Sequence, residues 1–116
     1  MDKTDQFTIM RRANGDLFSL TSNGREHLAV WPSLQSAIHY KACNPELLVF
    51  LPALVASAFA RKRLAPLRNQ KTSLFLVIDA GGTHMRDGRE MSWQELDERI
   101  LKSTGQIQHH TTGRHQ

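Results

Sequence analysis

The chain has 116 residues, 40% hydrophobic and 22% charged, with a formal net charge of +4. That length is expected to hold one domain and is too short for a two-lobed enzyme. One cysteine, Cys43, excludes an intramolecular disulfide framework, and at this size one hydrophobic core suffices without metal or disulfide staples.

The first six residues are polar and do not read as a signal peptide. Phe7–Met10 reads as a strand. Asn14-Gly15 gives a two-residue hairpin signal, because a type I′ turn needs positive φ twice. Leu17–Leu20 follows as a second strand, Asn23-Gly24 repeats the turn signal, and Glu26–Trp31 is the third strand. A three-stranded antiparallel meander over 7–31 is therefore expected, with Leu28 and Val30 on one face and His27, Ala29 and Trp31 on the other. His27 reads as an exposed strand residue, with no second ligand at metal spacing near it.

Pro32 ends that strand and Ser33 is a helix N-cap. Leu34, Ala37, Ile38 and Ala42 recur at helical spacing, and Pro45 stops the helix near Asn44. Cys43 reads as a small buried residue; His39, four residues earlier, falls on the same side of the helix. The segment 45–63 predicts an apolar helical region broken at Pro52, with the alternative of a buried strand over 47–51 and a helix starting at Pro52. Residues 64–70 read as a loop containing Pro66. Leu47 to Ala60 is the longest apolar stretch, and it is shorter than the roughly 20 residues of a bilayer span. No membrane association is expected, and the localisation is read as cytoplasmic.

Thr72–Asp79 is a continuous apolar run and predicts a buried strand, with Thr83–Arg86 as a short hairpin partner and Arg89–Met91 as an edge strand. Ser92-Trp93-Gln94-Glu95 has the form of a capping box, and Trp93, Leu96 and Ile100 form the inward face of a last helix. The whole reads as a flexible 1–6, a single α+β domain over 7–102, and a disordered 103–116 tail carrying His109, His110 and His115. The domain is expected to have an antiparallel sheet of about five strands, with two or three helices on one face.

Charge is concentrated in Arg61, Lys62, Arg63, Arg68 and Lys71, and no acid occurs between Glu46 and Asp79. Such a cluster is a candidate anion-binding site for phosphate or nucleic acid. It also closes a helix, where cations complement the C-terminal dipole. It lacks interleaved aromatics in sequence, which argues against a stacking platform.

Leu74–Ile78 followed by Asp79-Ala80-Gly81-Gly82-Thr83 resembles the first phosphate loop of the sugar-kinase and actin-like ATPase families. The resemblance implies a nucleotide-binding phosphotransferase loop, in which Asp79 helps position Mg²⁺ and the Gly81-Gly82 backbone, followed by Thr83, faces phosphate. Those families need two lobes and further nucleotide segments that this chain lacks, so the residues themselves read as a hairpin turn. The order Trp31-Pro32-Ser33-x-x-x-Ala37 and Gly88-Arg89-x-Met91-Ser92-Trp93-x-Glu95-Leu96 resembles small bacterial domains of unknown function over most of 7–102. That resemblance implies architecture and no activity. With no assembled catalytic residues, metal set or cofactor motif, the expected function is a non-enzymatic protein-interaction or regulatory module, whose partner is another protein or a second copy of the chain.

Overall fold

Residues 28–31 and 74–77 are apolar without alternation, the pattern of strands covered on both faces. The computed structural model describes residues 6–78 and 88–100. In chain order it contains β1 (Thr8–Arg11), β2 (Ser19–Ser22), β3 (Arg25–Val30), α1 (Leu34–Cys43), a 3-10 turn (Pro45–Leu47), β4 (Leu51–Leu54), α2 (Ala58–Asn69), β5 (Ser73–Val77) and β6 (Gly88–Met91). A last helix, α3, covers residues 93–100. The class is α+β, as expected, with six described strands in two sheets rather than about five in one.

The larger sheet has the order β2-β3-β5-β6. Its outer pairs are antiparallel, but β3 and β5 run parallel, with Leu28 opposite Leu74 and Val30 opposite Leu76. A parallel pair cannot be closed by a hairpin, so the chain between β3 and β5 must cross over, and α1, β4 and α2 lie in that crossover. This corrects the all-antiparallel expectation.

Helices also flank both faces of this sheet rather than one. Leu28, Val30, Leu74 and Leu76 pack in a cluster with Ala60 and Leu64 of α2 and Leu96 of α3. Ala29, Trp31, Phe75 and Val77 pack in the other cluster, with Ala37 and Tyr40 of α1 and Leu47. Trp31 is fully buried, with Tyr40 edge-on at 6.1 Å. Tyr40, rather than Ile38 or Ala42, carries the inward face of α1; Ile38 is 49% exposed.

Residues 7–31 do not form a three-stranded meander in one sheet. β1 pairs instead with β4, and only isolated bridges, Thr8 to Trp31 and Arg11 to Leu17, tie it to the larger sheet. The second turn is as expected: Asn23 (φ 55°) and Gly24 (φ 75°) both take positive φ, as a type I′ hairpin requires. In the first turn only Gly15 does (φ 97°), Gly15 N–H donates to Arg12 O, and Arg12 N–H to Asp16 O. That is a three-residue hairpin loop with a glycine bulge rather than the two-residue turn.

The segment after Pro45 is neither of the alternatives read from sequence. Pro45 starts only the 3-10 turn, Leu51–Leu54 is strand, and the helix begins where Ser57 Oγ accepts from Ala60 N–H at 3.1 Å. Residues 64–70, expected as a loop, continue α2 to Asn69 with Pro66 inside. Proline forfeits one bond there, but Leu64 and Leu67 follow Ala60 at spacings of four and three and hold the helix to the core. The helix ends with Lys71 N–H donating to Arg68 O (3.1 Å) and Thr72 N–H to Leu67 O (3.0 Å), which is a Schellman closure. Lys71 takes the left-handed position (φ 58°), where a residue other than glycine costs about 1 kcal/mol.

Two glycines should respond differently to substitution. A Cβ on Gly88 would overlap the Leu76 carbonyl oxygen and reach 2.7 Å from Phe75 Cε2, whereas one on Gly24 meets nothing within 4 Å. Gly88→Ala should therefore cost more than about 2 kcal/mol, and Gly24→Ala only the backbone cost of about 1 kcal/mol. Urea denaturation of both variants measures the difference.

Candidate functional site

A cleft of about 730 Å³ lies between the β2–β3 hairpin and the C-terminal end of α2. Leu17, Leu28 and Leu67 give it an apolar lining, and Arg25, Arg63 and Lys71 supply its cations. Asp16 and Glu26 also line it. Glu26 accepts from Ser19 Oγ–H at 2.6 Å and Asp16 from the Asn14 amide at 3.1 Å, so both carboxylates are already engaged on the hairpin side. A second cleft of about 520 Å³ shares Lys71, Thr72 and Ser73 with the first, and Trp93 and Glu90 line its far side.

The predicted basic cluster does not act as one patch. Arg63 and Lys71 reach the cleft, whereas Arg61, Lys62 and Arg68 do not line it. Arg68 pairs with Asp97 and lies 4.8 Å over the Trp93 ring, joining α2 to α3. Successive helical residues point in different directions, so adjacency in sequence is not adjacency in space. Arg25 was missed because it sits far away in the chain; Arg25 Nη2–H donates to Ser73 Oγ at 2.7 Å, across the parallel pair.

The cluster itself holds no aromatic residue, but rings from outside it meet its cations. Arg63 lies 5.8 Å from the Phe59 ring centre and Arg11 4.7 Å from it. The Arg63 guanidinium also rests on Gly15, where any Cβ would collide with it. Arg63 is thus held between an aromatic ring and a bare backbone.

The remaining sequence candidates assemble less. Asp79, Gly81, Gly82 and Thr83, the Thr83–Arg86 strand, and the tail with His109, His110 and His115 lie outside the described residues. His27 is buried rather than exposed: Nδ1 sits 3.0 Å from Arg25 O and Nε2 3.1 Å from Glu90 Oε2, with Phe75 edge-on at 6.1 Å. Its face was read correctly, but that face is covered by the second core cluster. Cys43 is exposed rather than buried, with its Sγ 3.9 Å from His39 Nε2. Among the described residues no three His, Cys, Asp or Glu side chains are grouped to hold a metal ion. No described helix is long and apolar enough to cross a membrane.

The crossover also exposes apolar side chains. Leu48 is 74% exposed, Val49 61% and Leu51 52%, and with Ile38 they are four of the five large exposed apolar residues among those described. Lys41 Nζ donates to Leu48 O at 3.2 Å, which brings α1 beside this turn. Arg12 lies 6.0 Å from the Phe50 ring, and Arg11 is the register partner of Leu51. Cations therefore border the apolar residues, and Glu46 is the only acid between Cys43 and Ser57.

The last helix is fixed by its cap and by charge. Ser92 Oγ accepts from Glu95 N–H at 3.0 Å, as the capping signal predicts. The Glu95 carboxylate turns to Arg89, which grips it with its two terminal guanidinium nitrogens, and Arg99 lies 4.0 Å away. The Arg89 hydrogen bonds hold the Glu95 carboxyl below its ordinary pKa and raise that of Arg89. A depressed carboxyl stabilises the fold above its unfolded pKa of roughly 4.3, and that contribution disappears as pH falls through the lower folded value. Glu95→Gln should thus cost less than about 1 kcal/mol at pH 7, because the pair is partly exposed, and the difference from the parent chain should close as pH falls from neutral to well below the unfolded value of about 4.3. Urea denaturation across that pH range measures it.

Neither a protein-family model nor a curated protein matches this chain.

Proposed function

We propose that the protein is a non-enzymatic interaction module that docks on another protein through Leu48, Val49, Leu51 and Ile38. The supporting observation is the exposure of these side chains in the crossover, where a domain of this size has other apolar residues that it does bury. Leu48, Val49 and Leu51 are nearly consecutive in the chain, and exposed apolar residues that lie together mark interaction sites more often than isolated ones do.

The border of Lys41, Arg11 and Arg12 favours a partner whose apolar face has an acidic rim. Two copies meeting face to face would set these cations against each other, which disfavours a symmetric homodimer on this surface. Strand addition at β4 is disfavoured too. Val55 N–H donates to Phe7 O, so Ala53 and Leu51 direct their N–H groups at β1, and Pro52 falls on the open edge, where it offers no donor.

Leu48→Asp/Val49→Asp should leave the melting temperature within about 2 °C of the parent, because both side chains are already in water. It should abolish capture of a partner that the parent chain retains from lysate. With that partner purified, calorimetry should show at least tenfold weaker binding for the double variant and for Lys41→Glu. A chain that is monomeric by sedimentation, retains no protein sensitive to these substitutions and turns over a metabolite would refute the reading. A dimer dissolved by Leu48→Asp would replace the acidic-rimmed partner with a second copy.

A further inference from the structure

The cleft beside α2 has two features that the fold itself does not require. The first is charge: Arg25, Arg63 and Lys71 line it against Asp16 and Glu26, an excess of one cation, and none of the three forms an ion pair with a carboxylate among the described residues. The second is Lys71, which occupies the left-handed closing position of α2, where glycine fits without strain. Thr72 N–H completes the helix closure whatever side chain residue 71 carries. What lysine adds there is a cation at the point where the two clefts meet.

We propose that this cleft binds a small organic anion with an apolar body, its phosphate or carboxylate head held by Arg63, Arg25 and Lys71 and its body lying on Leu17, Leu28 and Leu67. The volume falls in the roughly 300–1,000 Å³ range of small-molecule sites, and the cleft is open to solvent on one side. Two of the cations are already positioned, Arg63 by Phe59 and Gly15, and Arg25 by Ser73 Oγ. Guanidinium groups fixed in this way offer forked donors to an oxyanion without losing much side-chain freedom on binding. A nucleic acid is the weaker fit. The site is concave, Arg61 and Lys62 are not on it, and Arg68 is engaged by Asp97.

The probes are 1-naphthyl phosphate, 1-naphthoate and 1-naphthol, which share one ring system and differ in the head. Calorimetry or amide chemical shifts should show the phosphate binding with a Kd below about 1 mM and naphthol at least tenfold more weakly. Naphthoate as tight as the phosphate assigns a carboxylate head and supports the site equally. Arg63→Ala should weaken naphthyl phosphate at least fivefold. Lys71→Gly should weaken it at least threefold while raising the melting temperature by a few degrees, a combination that a purely structural lysine would not give. Equal binding of naphthol and naphthyl phosphate, or unchanged phosphate binding in both variants, would overturn the inference. So would a Lys71→Gly chain no more stable than the parent. DNA or RNA binding that requires Arg61 and Lys62 but not Arg63 would place the anion site elsewhere and overturn it too.

Discussion

The parallel pairing of β3 with β5 is the constraint on which the rest of the structure depends. It places two apolar strands at the centre of a sheet with both faces to be covered. It also obliges the chain to travel from the end of β3 back to the start of β5. The crossover meets both demands, since α1 covers the Trp31 and Phe75 face while α2 returns along the Leu28 and Leu74 face. α3 then completes the second cover, with Leu96 in the core and Trp93 Nε1–H donating to Thr72 O at 2.7 Å.

The cleft is a consequence of that return path. α2 must end beside the start of β5, and β3 neighbours β5, so the β2–β3 hairpin faces the closing turn of α2. A long helix meeting a short hairpin leaves a concave gap, and Lys71 stands at its edge because it is the turn residue. The energetics of the turn and the chemistry of the gap therefore meet at one side chain. Left-handed backbone at a non-glycine residue is tolerated only where its surroundings fix it, and the two Schellman hydrogen bonds do so here.

The cations divide by what they touch. Arg68 and Arg89 have carboxylate partners, Asp97 and Glu95, that join α3 to its neighbours. These pairs are partly exposed and individually weak, so their role is to orient α3 more than to stabilise it. Arg63 and Arg11 instead flank Phe59, which directs their stems without neutralising their charge. The same residue type therefore serves assembly in one place and leaves an open positive surface in another.

Local signals were legible from the sequence by itself. Ser33 and Ser92 cap helices, Asn23-Gly24 makes a type I′ turn, and the apolar run of β5 is a buried strand, since each depends on residues within one turn or strand. The single α+β class followed from the same elements. The sequence also placed Arg63 and Lys71 among the anion-binding candidates, but as part of a five-residue cluster that the helix disperses. Tertiary structure alone decided the rest. The unalternating apolar runs of 28–31 and 74–77 suit strands covered on both faces, but they do not say which strands pair or in which direction, so the β3–β5 pairing was not visible. Apolar residues 47–60 suit a helix or a strand equally by pattern, and their pairing with β1 made Leu51–Leu54 a strand. The burial of His27 and the arrival of Arg25 beside Ser73 came from partners distant in the chain, because register across a sheet is fixed by packing and not by the spacing of residues along it.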